Sequence, residues 1–273
     1  MIQKYILYPI LVLLLALMVY FGTKANEQAV LYEEVTVELV SFQGVEAQAT
    51  LQLEKFAKSI LGDLFNDEQK INLDMIKQKQ DVAMLKAKEY TLYFMIVLGV
   101  MLLSFFFSAL RTFTLFGSLS AMITLVLGLI TPILMVTIHK EVEYLGDIVL
   151  SFESKGVIGS IQKLFESDDI IVALVILLFS VIVPILKILS LLFVSVFMQS
   201  KFAHSIVKFF KMIGKWSMVD VFVVAVFLVY LTANKGDVSR AEVEVGLYFF
   251  LAYVIVSMLV SLSADKMLRK LKG

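Results

Sequence analysis

Two ionisable residues sit where an apolar chain has least reason to keep them. Lys187 lies inside SVIVPILKILSLLF, three positions after Pro184, and Asp220 lies about one turn into KWSMVDVFVV. A charge at the centre of a membrane-spanning run costs at least ~2.5 kcal/mol on insertion scales, so such residues mark polar sites by default. Pro184 has no N–H and frees the carbonyl four residues earlier, which predicts a kink. If the two runs are antiparallel, Lys187 stands ~16 Å above Met198 at 1.5 Å per residue, and its side chain reaches Asp220 only by leaning toward the loop. Three readings of the pair stand side by side. It is a structural ion pair or snorkelling lysine, a proton- or ion-linked switch set by burial and a facing carboxylate, or a polar patch for an anionic lipid headgroup. Ser190, at i+3 from Lys187, and Ser217, three before Asp220, are candidates to join it, as are Thr124 and Thr131. Hydroxyls within spans usually bond back to their own helix. Gly117, Ser120, Ala121 and Gly128 read as marks of close helix packing.

The surrounding chain explains why a charge is costly there. It is 60% hydrophobic with mean hydropathy +0.90, far above a soluble domain, so it is an integral membrane protein. It has no cysteine, which excludes disulfides, thiol redox chemistry and cysteine-ligated zinc or iron–sulfur sites. Its two histidines, His139 and His204, are far apart, so no metal centre is expected. No phosphate-binding glycine loop, nucleophile motif or acid–base constellation is present. Neither an enzyme, a cofactor nor a nucleic-acid partner is expected.

Six apolar runs have spanning length: about Tyr5–Phe21, Thr91–Leu110, Phe113–Ile138, Ile170–Met198, Met218–Ala233 and Val245–Leu262. The first lacks a convincing cleavage site and reads as an uncleaved anchor. Orientation follows the lysine and arginine bias of the loops. Gly22–Tyr90 carries twelve acids against eight lysines and His139–Asp169 seven against three, which assigns both to the outside. Lys4, Arg111, the Lys201–Lys215 loop and the Lys266–Lys272 tail then fall inside. Both termini are therefore expected on the cytoplasmic side of the membrane.

The outer segments have their own patterns. LQLEKFAKSILGDLF has helical apolar spacing, and the stretch after it runs without Pro or Gly into the second span. This predicts a helical hairpin over about 22–90, turning near Asn66–Asp67. Its apolar stripe either closes the hairpin or docks another protein. GDIVLSF and SRAEVEV are strand-like and are each other's best partners for a small antiparallel sheet. SKGVIGSIQKLFESDD predicts a short amphipathic helix with Ile158, Ile161, Leu164 and Phe165 on one side. Asp168 and Asp169 then open the fourth span.

The tracts VIVPILKILSLLF, GKWSMVDVFVVAVFLVY and VGLYFFLAYVIVSMLVS resemble the paraquat-inducible protein A family of bacterial inner-membrane proteins. The resemblance covers roughly Phe113–Lys272 and rests on Pro184 and Lys187 in one span, Trp216, Ser217, Met218 and Asp220 opening the next, and Gly246 opening the last. It implies a tetraspanin-like four-helix module working beside a periplasmic MCE-domain partner to move phospholipid between membranes. The chain departs from many members in having no Cys-x-x-Cys zinc ribbon and in carrying one module rather than two. The resulting expectation is an all-α polytopic protein: a two-span unit at 1–110 with a periplasmic helical hairpin, then a four-span module at 111–273 with a small periplasmic sheet. The expected function is that of a lipid-transfer subunit, proton-coupled through Lys187 and Asp220. The alternative is a non-transporting, tetraspanin-like organiser of envelope proteins. The sequence leaves the oligomeric state open.

Overall fold

The computed structural model describes residues 2–43, 67–142, 146–197 and 239–270. The expected fifth span, with Trp216, Ser217, Met218 and Asp220, lies outside the described residues, as does LQLEKFAKSILGDLF. Among the described residues, five helices are long and apolar enough to cross a membrane: Leu7–Val40, Asp74–Phe106, Leu110–Ile130, Ile170–Val196 and Val245–Met267. The chain is a multi-pass membrane protein.

Two long helices form an antiparallel pair. Helix α1 runs unbroken over Ile2–Gln43 and α2 over Asp67–Leu103. At 1.5 Å per residue they are ~63 and ~55 Å long, against ~30 Å of bilayer hydrocarbon, so both stand well clear of one face. Helix α1 carries the apolar run Tyr5–Phe21 straight on into the outer segment, with no proline after Pro9 to interrupt the ladder. Leu11, Met18 and Ala25 recur every seven residues and are followed by Ala29 and Tyr32; Ile76, Ala83, Ala87, Phe94, Leu98 and Met101 are buried along α2. A seven-residue repeat keeps one seam facing a partner helix. Outside the apolar span the pair is held by alanines that allow close approach and by Gln80 Nε2, which donates to Thr36 Oγ1 at 2.7 Å.

After one 3-10 turn at Ser104–Phe106, helix α3 spans Leu110–Ile130. The third span was expected to continue to Ile138, but the helix stops eight residues earlier. Pro132 cannot donate to the ladder, and it holds Thr131 extended at φ −75°, ψ 142°. The β-branched residues beyond it enter strand β1, Leu134–Val142, which hydropathy alone had merged with the span. Strands β2, Gly146–Lys155, and β3, Ser239–Val243, both pair antiparallel with β1, giving the order β2-β1-β3. The two strands read from sequence therefore do not pair with each other; β1 lies between them.

Helix α4, Val157–Glu166, is amphipathic, but its buried side differs from the expected one. Val157, Ser160 and Ile161 are buried and Leu164 packs beside the core, while Ile158 and Phe165 are exposed. Asp168 takes the left-handed conformation at φ 62°, and Asp169 N–H closes the turn onto the Leu164 carbonyl at 3.0 Å. The fourth span follows as α5, Ile170–Ile176, a π-helical segment at Leu177–Ile182, and α6, Val183–Val196. Helix α7, Val245–Arg269, leaves β3 with only Glu244 between them.

Helices α3 and α7 form the centre. Leu125, Phe249, Phe250, Tyr253 and Val260 are buried there with Ala121. Gly128 and Gly117 allow the crossing: a methyl at Gly128 would stand 2.8 Å from the Phe250 backbone nitrogen, and one at Gly117 2.7 Å from Val260 Cγ2. These are two of the small residues the sequence marked for close packing. Gly246 N–H bonds the Pro132 carbonyl at 2.8 Å, and Glu244 N–H bonds that of Ile133 at 2.9 Å. A side chain at Gly246 would run into the carbonyls of Thr131 and Pro132, so only glycine fits where α7 begins.

Candidate functional site: a buried lysine beside a broken helix

Lys187 is 8% exposed. Its Nζ donates to Ser257 Oγ at 3.1 Å, and Ser257 is fully buried on α7. Ser257 lies near the middle of the candidate span Val245–Met267, so the ammonium is held at mid-depth rather than at a flank. Ser257 also donates to the Val254 carbonyl at 3.0 Å, and Ser261 Oγ donates to the Ser257 carbonyl at 2.7 Å. The serine hydroxyl thus accepts from the lysine while giving its own proton to the helix.

The break predicted at Pro184 takes a definite form. Pro184 stands in the first turn of α6, and its missing N–H would have served the Ser180 carbonyl. The six residues before α6, including buried Ser180, are π-helical. Wider turns of this kind accommodate disturbed hydrogen bonding and recur at functional sites. Lys187 therefore follows a non-standard turn by five residues.

A hydroxyl seam runs beside it. Thr114, Ser118, Ser120 and Thr124 on α3 are all fully buried, as is Ser263 on α7 to within 1%. The register set by Gly128 against Phe250 and Gly117 against Val260 brings Ser120 level with Ser257. Ser118 bonds back to the Thr114 carbonyl, Ser120 to that of Gly117, and Thr124 to that of Ser120. Thr114 Oγ1 and Ser263 Oγ meet across the helices at 3.1 Å. Each of these hydroxyls is satisfied within the two helices, so the seam leaves no unsatisfied group in the apolar interior.

The other sequence candidates separate. Ser190 donates to the Leu186 carbonyl at 2.6 Å on its own helix. Thr131 is fully buried but caps the far end of α3, ~16 Å of helix rise from the level of Ser120. There its hydroxyl bonds Asn26 Oδ1 at 2.9 Å, which ties α1 to the end of α3. Asp220 and Ser217 lie outside the described residues. Ser257 was missed as a partner, although its i, i+4 pairing with Ser261 was visible in VSMLVS. At the opposite end of the bundle from the sheet, Arg111 Nε donates to the Ser195 carbonyl at 3.0 Å and its Nη2 to that of Val196 at 3.2 Å, closing α6 onto α3. Among the described residues, no group of three or more histidine, aspartate or glutamate side chains is placed to hold a metal ion.

The sequence profile described as Paraquat-inducible protein A matches residues 111–269, which hold the whole Lys187 site. A Haemophilus influenzae protein named probable intermembrane transport protein is 30% identical over 117 residues, covering 41% of this chain and 28% of that protein. The aligned part is thus little more than a quarter of the relative's length. No solved structure matches the chain. From α3 through α7, more than half of its length, the chain belongs to the paraquat-inducible protein A family.

Proposed function

We propose that the chain is an inner-membrane subunit of a lipid-transfer system, with the sheet end outside the cell membrane and both termini in the cytoplasm. In this reading it passes phospholipid to or from a periplasmic MCE-domain partner, and the lysine seam couples that passage to a proton. The observation that carries the proposal is Lys187, buried at mid-depth, bonded to Ser257, and set just beyond a π-helical turn. A mid-depth ammonium is too costly to keep for packing alone when methionine would fill the same space. The name of the Haemophilus influenzae relative supports the same class of activity.

The test is complementation of a deletion strain with the wild type, Lys187→Met or Asp220→Asn, with membrane levels measured in parallel. Lys187→Met is expected to reach wild-type levels and to leave the envelope detergent-sensitive. Full restoration of resistance by Lys187→Met would overturn the transport reading. It would leave the organiser reading, which draws on the exposed apolar residues Val37 and Leu85 along the helical arm.

A further inference from the structure

Helix α2 carries two patterned faces, and α1 covers one of them. Ala83 and Ala87 pack with Tyr32 and Ala29 of α1, in line with buried Ile76 and Phe94. On the far side of α2, ~150° around at 100° per residue, Met75, Val82, Leu85, Leu92, Ile96 and Leu103 are all exposed. This outer stripe keeps a seven-residue period over about four heptads. With Met75 at position a, Val82, Ile96 and Leu103 are also a, and Leu85 and Leu92 are d. Lipid suffices to cover Leu92–Leu103. Met75 and Val82, however, stand ~24 and ~14 Å before Thr91, where the apolar run begins, beyond the reach of acyl chains.

We infer that this stripe pairs with the same stripe of a second copy of the chain, as a parallel two-stranded coiled coil at the centre of a twofold dimer. The flanking charges carry the inference. Asp74 and Asp81 occupy g positions, and Lys79 and Lys86 occupy e positions. None of the four makes an ion pair within the described residues. In a parallel pair each g residue faces the e residue five positions on in the other helix. Asp74 then meets Lys79 of the second copy and Asp81 meets Lys86, and the twofold axis repeats both pairs. An antiparallel pair would set aspartate on aspartate and lysine on lysine. Two copies inserted with the same topology in one bilayer must also run parallel, so charge and membrane select the same orientation. Val82 and Ile96 at a with Leu85 and Leu92 at d is the side-chain choice that favours two strands. Gln78 and Glu89 are the polar members of the stripe, and such positions fix register at some cost in stability. Tyr93 Oη donates to Glu89 at 2.6 Å and holds that carboxylate against its own helix. Folded straight back as a helix from Asn66, residues 51–65 would end about level with Val82, short of Leu85. One face that supplies both halves of every charge pair fits an isologous contact. None of these residues belongs to the lysine site, so the inference stands apart from the lipid-transfer reading.

The chain has no cysteine, so single thiols report contacts cleanly. The experiment treats membranes holding the full-length Val82→Cys chain with a short bismaleimide. Val37→Cys on α1, at a site 52% exposed against 41% for Val82, is the control for chance collision. Cross-linked dimer is expected at Val82 and not at Val37. Leu85→Cys supplies a second position on the stripe should Val82→Cys fail to accumulate. Charge reversal by Asp74→Lys with Asp81→Lys turns every pair repulsive and should cut the dimer at least about tenfold. Lys79→Glu with Lys86→Glu should do the same. Co-expression of the two reversed chains, differently tagged, should restore the dimer as the mixed species, since every pair is then attractive again. Equal cross-linking at Val82 and Val37, or dimer indifferent to both reversals, would overturn the inference. So would an adduct to a protein of another mass. Monomer alone at both stripe positions would also overturn it, and protection of those thiols from a bulky maleimide would then assign the face to residues 51–65.

Discussion

Gly128 is where one methyl group measures the closeness of α3 and α7. In Gly128→Ala the new carbon would stand 2.8 Å from the nitrogen and 2.9 Å from the Cα of Phe250, both backbone atoms that no side-chain rotation can move. Ordinary contact needs ~3.5 Å, so the helices must part by ~0.6–0.7 Å at this level. A gap of ~0.5–1 Å forfeits a quarter to a half of each dispersion well, and Leu125, Phe249 and Tyr253, all buried to 1% or less, line the crossing. With ~1 kcal/mol returned by the helix propensity of alanine, the net loss is ~2–3 kcal/mol, inside the usual range for overpacking. That corresponds to a fall in Tm of ~4–10 °C for a chain of this size. Two other glycines calibrate the scale. At Gly117 the new methyl meets Val260 Cγ2, a side chain that can turn, so the loss should be smaller, ~1 kcal/mol. At Gly99 nothing lies within 4 Å, so alanine should raise Tm by ~1–3 °C. Thermal unfolding of the three variants in one detergent gives the order directly. Should Gly128→Ala melt with Gly99→Ala, the crossing is not as close as described.

Other substitutions probe separate joints. Arg111→Ala removes the guanidinium from the carbonyls of Ser195 and Val196 and should cost ~1–2 kcal/mol in detergent melts; Arg111→Lys, lacking the planar fork, should recover only part. Asn26→Leu takes the partner from the buried Thr131 hydroxyl and should lower stability by ~1–2 kcal/mol; no change would mean that α1 is held by packing alone. Pro184→Ala returns an N–H to the Ser180 carbonyl, so hydrogen exchange across Leu177–Ile182 should slow as the π turn becomes α-helical. Unchanged exchange would detach the π segment from the proline.

How much of this was legible depended on how local each cause is. Pro184 and Lys187 announce a break and a buried charge within four residues, and both are where the sequence implied. Ser257 was not legible as the partner, because the contact depends on how α6 and α7 align across 70 residues of chain. Strand β1 was hidden because hydropathy is blind to backbone geometry; Pro132 carried the missing signal and was read as part of a span. The buried face of α4 was misjudged at Ile158 and Phe165 because a ten-residue helix with apolar residues on two sides docks by whichever side its neighbours leave open.

The alignment of α3 with α7 also dictates an order of events. The bonds from Gly246 to Pro132 and from Glu244 to Ile133 close a loop of roughly a hundred residues, and such distant pairings form late. During synthesis α3 must enter the bilayer and wait, its future partner not yet made. A helix with four unsatisfied hydroxyls would be a poor candidate for that interval. Thr114, Ser118, Ser120 and Thr124 each donate to a carbonyl three or four residues behind, within α3 itself. The same internal bonds that satisfy the hydroxyls of the finished seam make the unfinished helix tolerant of lipid.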